Sequence, residues 1–151
     1  MMKTNTLLLV AGLLLASAGG SRADVSVGTG GETLFVFKSE RDLDKTATQR
    51  ADDVYDRLRN ILNNPRFKGS DILVKPLGDY GAKIVANGQL IVPIGAQEAE
   101  ANGSTPMKLA EEWATHLRKV MPKLNARPDL FNKKNRYVAK RKPTPRPKRS
   151  R

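Results

Sequence analysis

The chain has 151 residues, no cysteine and one histidine, and its 27 lysines and arginines outnumber 15 aspartates and glutamates for a net charge of +12. The lack of cysteine excludes a disulfide framework and a lipid-bearing cysteine anchor, and with a single histidine it argues against a transition-metal site. The length suits a short leader and one domain with an ordinary apolar core.

The N-terminus reads as an export address. Met1-Met2-Lys3 gives a cationic start, Leu7 to Gly20 is apolar or small, and Ser21-Arg22-Ala23 offers the small residues that a signal peptidase accepts. Cleavage is expected after Ala23, making residues 1–23 a signal peptide and placing the rest outside the cytoplasm, periplasmic or secreted. The apolar run falls short of the about 20 residues that a membrane helix needs. No later segment is longer, so no transmembrane span is expected once the leader is removed.

A small α+β domain is predicted over residues 24–130. Glu32 to Lys38, preceded by Gly28, Gly30 and Gly31, is rich in β-branched and aromatic residues and reads as the first strand. Thr46-Ala47-Thr48-Gln49 has the spacing of a capping box. Beyond it Ala47, Ala51, Val54, Tyr55, Leu58, Ile61 and Leu62 recur at helical spacing, with Arg50, Asp53, Asp56, Arg57 and Asn60 on the expected wet side. Asn63-Asn64-Pro65 ends that helix, since proline disfavours helical geometry in the residue before it.

Asp71 to Lys75 is the second strand. The runs Lys83 to Ala86 and Gln89 to Val92 flank Asn87-Gly88, a strong hairpin signal because both central residues of the favoured turn need positive φ. Ala96 to Ala101 is expected to form one helical turn. Thr105-Pro106 then opens a second main helix whose stripe is Ala110, Trp113, Ala114, Leu117, Val120, Met121 and Leu124. The order β-α-β-β-β-α implies a mostly antiparallel four-stranded sheet covered on one face by two main helices.

Residues 131–151 differ in kind. They hold ten cations, Lys133, Lys134, Arg136, Lys140, Arg141, Lys142, Arg146, Lys148, Arg149 and Arg151, and no acid, whereas residues 24–130 balance 15 cations with 15 acids. Ordering the tail would cost roughly 1–2 kcal/mol per residue, against about 3 kcal/mol each from Phe131, Tyr137 and Val138. A disordered Lys/Arg/Pro-rich tail is expected, and any argument from basicity concerns the tail alone.

Signs of catalysis are scarce. His116 lies off the Trp113 stripe beside Arg118 and Lys119 and is expected to face solvent. Asp52, Asp53 and Asp56, like Glu98, Glu100, Glu111 and Glu112, read as charged helix faces before they read as acid/base pairs. Gly28-x-Gly30-Gly31 precedes a strand, whereas a phosphate cradle lies between a strand and a helix. No catalytic, cofactor-binding or metal-binding residue is assigned, and no cofactor is expected.

Three segments carry a family likeness. Gln49-Arg50-Ala51 with Arg57-Leu58, the half-hairpin Asn87 to Val92, and Thr105 to Ala114 with Leu117-Arg118 resemble the extracytoplasmic N-terminal domain of bacterial small-conductance mechanosensitive-channel-like proteins. Related small exported bacterial proteins of unknown function share the unit. The resemblance spans Leu34 to Leu124 and implies a shared fold and an envelope setting. It implies neither channel activity nor catalytic residues, since no segment after Val92 could line a pore.

The expected function is an exported, non-enzymatic envelope binding module. Its body contacts a protein or glycan, and its tail associates with an anionic envelope polymer or membrane surface. The rivals are a small extracytoplasmic ligand-binding protein or carboxylate-dependent hydrolase using a cleft near Glu98 to Glu112, and nonspecific nucleic-acid binding by the tail. A tail that only aids solubility is the plainest alternative.

Overall fold

The computed structural model of the protein describes residues 22–64, 66–125 and 137–138. Strands β1 (Arg22–Thr29) and β2 (Glu32–Ser39) form an antiparallel hairpin, turning through Gly30 and Gly31 at φ values of 60° and 83°. Two successive positive φ angles suit residues without a Cβ and match the twist of a tight hairpin. Of the glycines ahead of the expected first strand, Gly30 and Gly31 are therefore a hairpin turn and Gly28 belongs to β1, a strand additional to those predicted.

A miniature hairpin, β3 (Arg41–Asp42) and β4 (Lys45–Thr46), delivers the chain to helix α1 (Ala47–Leu62). The capping box is formed there. Thr46 Oγ1 accepts the Gln49 N–H at 3.3 Å, and Gln49 Oε1 accepts the Thr46 N–H at 3.0 Å. Every member of the predicted α1 stripe is buried.

A 3-10 turn at Gly69–Asp71 leads into an antiparallel meander of β5 (Ile72–Leu77), β6 (Gly81–Ala86) and β7 (Gln89–Ile94). Asn87 and Gly88 take the positive φ angles that their hairpin requires, 50° and 77°. Helix α2 (Ala96–Ala101) and helix α3 (Pro106–Asn125) follow. The stripe of α3 faces the core, with Trp113 half-buried against the rings of Phe35 and Phe37 at centroid distances of 5.3 and 5.6 Å. A two-residue strand, β8 (Tyr137–Val138), pairs antiparallel with β1 at Gly28 and Val27.

The class is α+β with antiparallel pairing, as predicted, but the strands divide differently from the four-stranded sheet expected. β2 bonds to β1 in the order β2-β1-β8, while β5-β6-β7 is a separate three-stranded sheet. The Gly30-Gly31 turn supplies β2 with a local partner, and side chains take backbone groups on the exposed strands. Arg118 donates to the Ile72 carbonyl of β5 through Nε at 3.2 Å and Nη2 at 2.8 Å, and Arg57 donates to the Ile91 carbonyl of β7 at 3.4 Å. Glu98 accepts the Lys38 and Ser39 N–H groups of β2 at 2.8 and 3.1 Å. Backbone groups engaged in this way are not offered to a neighbouring strand.

Both sheets and the two long helices nevertheless share one apolar core, in which Phe35, Phe37, Leu58, Ile72, Ile84, Leu117 and Met121 are fully buried. Each such side chain contributes about 1.5–3 kcal/mol. No helix among the described residues is long and apolar enough to cross a membrane. The expected signal peptide lies outside the described residues up to Ser21, and Arg22 and Ala23 belong to β1. The expected disordered tail lies outside them too, except for Tyr137 and Val138.

Candidate functional site

The most polar place in the interior is where α1, α2 and β3 meet. Arg50, Glu98 and Asp42 are only 3%, 0% and 2% exposed. Arg50 sits one turn into α1, three residues after Ala47 and four before Val54, so the helix turns it toward the core. The sequence reading placed it on the wet side. The correction has a physical cause, because partners waiting inside satisfy a charge that burial alone would penalise. Arg50 Nη1 lies 2.7 Å from Glu98 Oε2, Nη2 donates to the Ser39 carbonyl at 2.5 Å, and Cζ stands 4.7 Å from the centroid of the Phe37 ring.

Glu98 is equally engaged. Besides Arg50 and the two β2 amides, it accepts the Asn102 Nδ2 donor on Oε1 at 2.7 Å. Four donors fill its acceptor positions. Such a carboxylate binds the β1–β2 hairpin, α1 and α2 together and has no lone pair to spare for a substrate.

Asp42 approaches the same guanidinium nitrogen, with Oδ2 4.0 Å from Arg50 Nη1 and 2.7 Å from the Gly95 nitrogen whose N–H it accepts. Burial pushes its pKa upward. The Gly95 and Gln97 backbone donors and Arg50 oppose that shift, while the Glu98 charge adds to it. Gly95 is required by this contact, since a Cβ there would lie 2.2 Å from Asp42 Oδ1. Two carboxylates around one guanidinium leave the cluster one negative charge in excess, which is consistent with the rise.

Arg50 also lines a recess of about 70 Å³ with Leu43, Lys45, Asp53, Arg57 and Pro93. Asp53 is ion-paired with Lys45 and lies 3.9 Å from Arg57. Among the described residues, Arg50 Nε is the buried side-chain polar atom left without a hydrogen-bond partner. A second recess of about 80 Å³ is lined by Asn60, Ile61, Asn64, Ala86, Asn87 and Gln89. Both are well below the roughly 300–1,000 Å³ usual for small-molecule sites.

The remaining candidates are dispersed. Asp56 pairs with Arg59 at 3.9 Å and Glu111 with Arg118 at 4.0 Å, in keeping with charged helix faces. Glu98 alone of the acids singled out in the sequence is fully buried, and no group of metal-binding residues occurs among the described residues. His116 is exposed, with Nε2 2.8 Å from the Thr33 carbonyl. The ten tail cations from Lys133 to Arg151 lie outside the described residues. No sequence pattern announced the Arg50–Glu98 pair, whose members are 48 positions apart. The position of Arg50 within the apolar stripe was the available signal.

The family model described as "Domain of unknown function (DUF8459)" matches residues 26–123, a span that includes Asp42, Arg50, Gly95 and Glu98. No curated protein and no solved structure matches the chain.

Proposed function

The chain belongs to the DUF8459 family, and we propose that it is an exported, non-enzymatic envelope module whose body contacts a protein or glycan while its cationic tail holds it to an anionic surface. The observation that carries this reading is the segregation of charge. Residues 24–130 hold 15 cations and 15 acids, and residues 131–151 hold ten cations and no acid. Ten cations on one short segment are attracted to any dense array of phosphates or carboxylates, at about 1 kcal/mol per Lys or Arg near an anionic surface.

Two features favour binding over catalysis. The buried carboxylates are committed to the Arg50 cluster, and the recess that Arg50 lines, about 70 Å³, is too small for a typical substrate. The export-like leader and the likeness to an extracytoplasmic channel domain support the envelope setting. Stepwise salt extraction of envelope fractions from intact cells tests the reading. At 1 M salt the Debye length falls to about 3 Å, so the protein is expected to leave the envelope fraction. Retention at that ionic strength contradicts a tether made of charge.

A further inference from the structure

The β5–β6–β7 sheet turns one face to the core through Ile72, Ile84 and Ile94, and its opposite face includes two rows of paired residues, with Leu77 and Gly81 at its end. Leu73 stands opposite Val85, which stands opposite Leu90, and Lys75 stands opposite Lys83, which stands opposite Pro93. Residues directly paired across antiparallel strands share a face, so Leu73 and Leu90, on either side of a buried Val85, form an apolar band beside a cationic one. Leu73 is 50% exposed, and Tyr80, in the turn that joins β5 to β6, is 84% exposed.

Like charges directly opposite each other destabilise a sheet. Lys75 and Lys83 are so placed, and neither takes part in an ion pair among the described residues. The two rows contain no acid. The neighbouring acids are Asp79, beside Tyr80 in the turn, and Asp53, which Lys45 and Arg57 already engage. At the far end of the cationic row, Pro93 adjoins the recess lined by those same two cations.

We infer that this sheet face is a docking surface for an anionic lipid bilayer. A sheet face that combines lysines with an exposed leucine and a nearly free tyrosine at a hairpin tip matches the chemistry of a membrane interface. Aromatic rings settle at headgroup level there, and lysines meet the negative surface potential. A linear polyanion would use the lysines but leave Leu73 and Tyr80 idle. The inference rests on the envelope reading and adds a contact through the body to the tether through the tail.

The test uses the purified full chain with bicelles and vesicles of zwitterionic phosphatidylcholine, with and without phosphatidylglycerol. Nitroxide-labelled lipid in the anionic bicelles is expected to broaden the amide signals of residues 73–85, and not those of residues 109–117 on α3, whose stripe lies on the core side of the sheet. The double variant Lys75→Gln/Lys83→Gln, with the tail intact, is expected to lose about fivefold in partition to anionic vesicles for each lysine removed, and Tyr80→Ser is expected to reduce the broadening at the hairpin. Broadening confined to residues after 131, or a double variant that binds anionic vesicles as wild type does, overturns the inference. The tail is tested separately by replacing its ten cations, so failure of the face and failure of the tether give different results.

Discussion

Arg50 Nη1 and Glu98 Oε2 lie 2.7 Å apart with neither side chain open to solvent, and this contact joins two helices that are separated along the chain by the whole β5–β7 meander. A buried pair of this kind need not stabilise more than an apolar pair would, but losing one member leaves the other charged in a medium that cannot solvate it. Glu98→Ala is therefore expected to cost about 3–5 kcal/mol. The loss also strips the Lys38 and Ser39 N–H groups of their acceptor. Glu98→Gln keeps one acceptor oxygen and is expected to fall between Ala and wild type. Urea denaturation followed by circular dichroism measures both.

Gly95 and Asp42 make a steric prediction. The Gly95 backbone lies in extended geometry that any residue adopts, so the whole cost of Gly95→Ala comes from the Cβ meeting the carboxylate. We expect a loss of about 1–3 kcal/mol in the wild-type background and much less in an Asp42→Ala background. A double-mutant cycle that is additive to within about 0.5 kcal/mol contradicts the contact.

Asp42 also predicts a pH dependence. Burial raises its folded pKa above the ordinary value of 3.8, so between those two values the folded protein holds a proton that the unfolded chain has released. Stability contributed by this group is present below pH 3.8 and is lost as the pH rises through the folded value. Asp42→Asn keeps an oxygen for the Gly95 donor and removes the titration. Urea midpoints of variant and wild type are expected to shift in the variant's favour on going from acidic to neutral pH. A gap that does not change with pH contradicts the assignment.

Much of the fold is legible in the chain because its local signals agree. The Thr46–Gln49 capping box, the Asn87-Gly88 turn and the Thr105-Pro106 helix start each fix a boundary through backbone chemistry confined to a few residues. β1 was hidden because Asp24 to Thr29 is short and poor in large apolar residues, and because Gly30-Gly31 looks like a loop until a partner strand is recognised. The division into two sheets could not be read at all. It depends on Arg118, Arg57 and Glu98 reaching backbone groups 34 to 60 residues away, and no local pattern encodes such reach. Arg50 was misplaced for a related reason, since hydropathy assigns a guanidinium to solvent unless its buried partner is known.

The most direct test of the envelope role leaves the body and β8 untouched. In a variant with all ten cations from Lys133 to Arg151 replaced by glutamine, Tyr137 and Val138 are kept and the net charge of +12 falls to +2. Fractionation of cells producing either form should find the wild-type protein with the envelope at low salt and a larger share of the variant in the soluble extracytoplasmic fraction. Equal partition of the two forms would contradict a tether built on the tail.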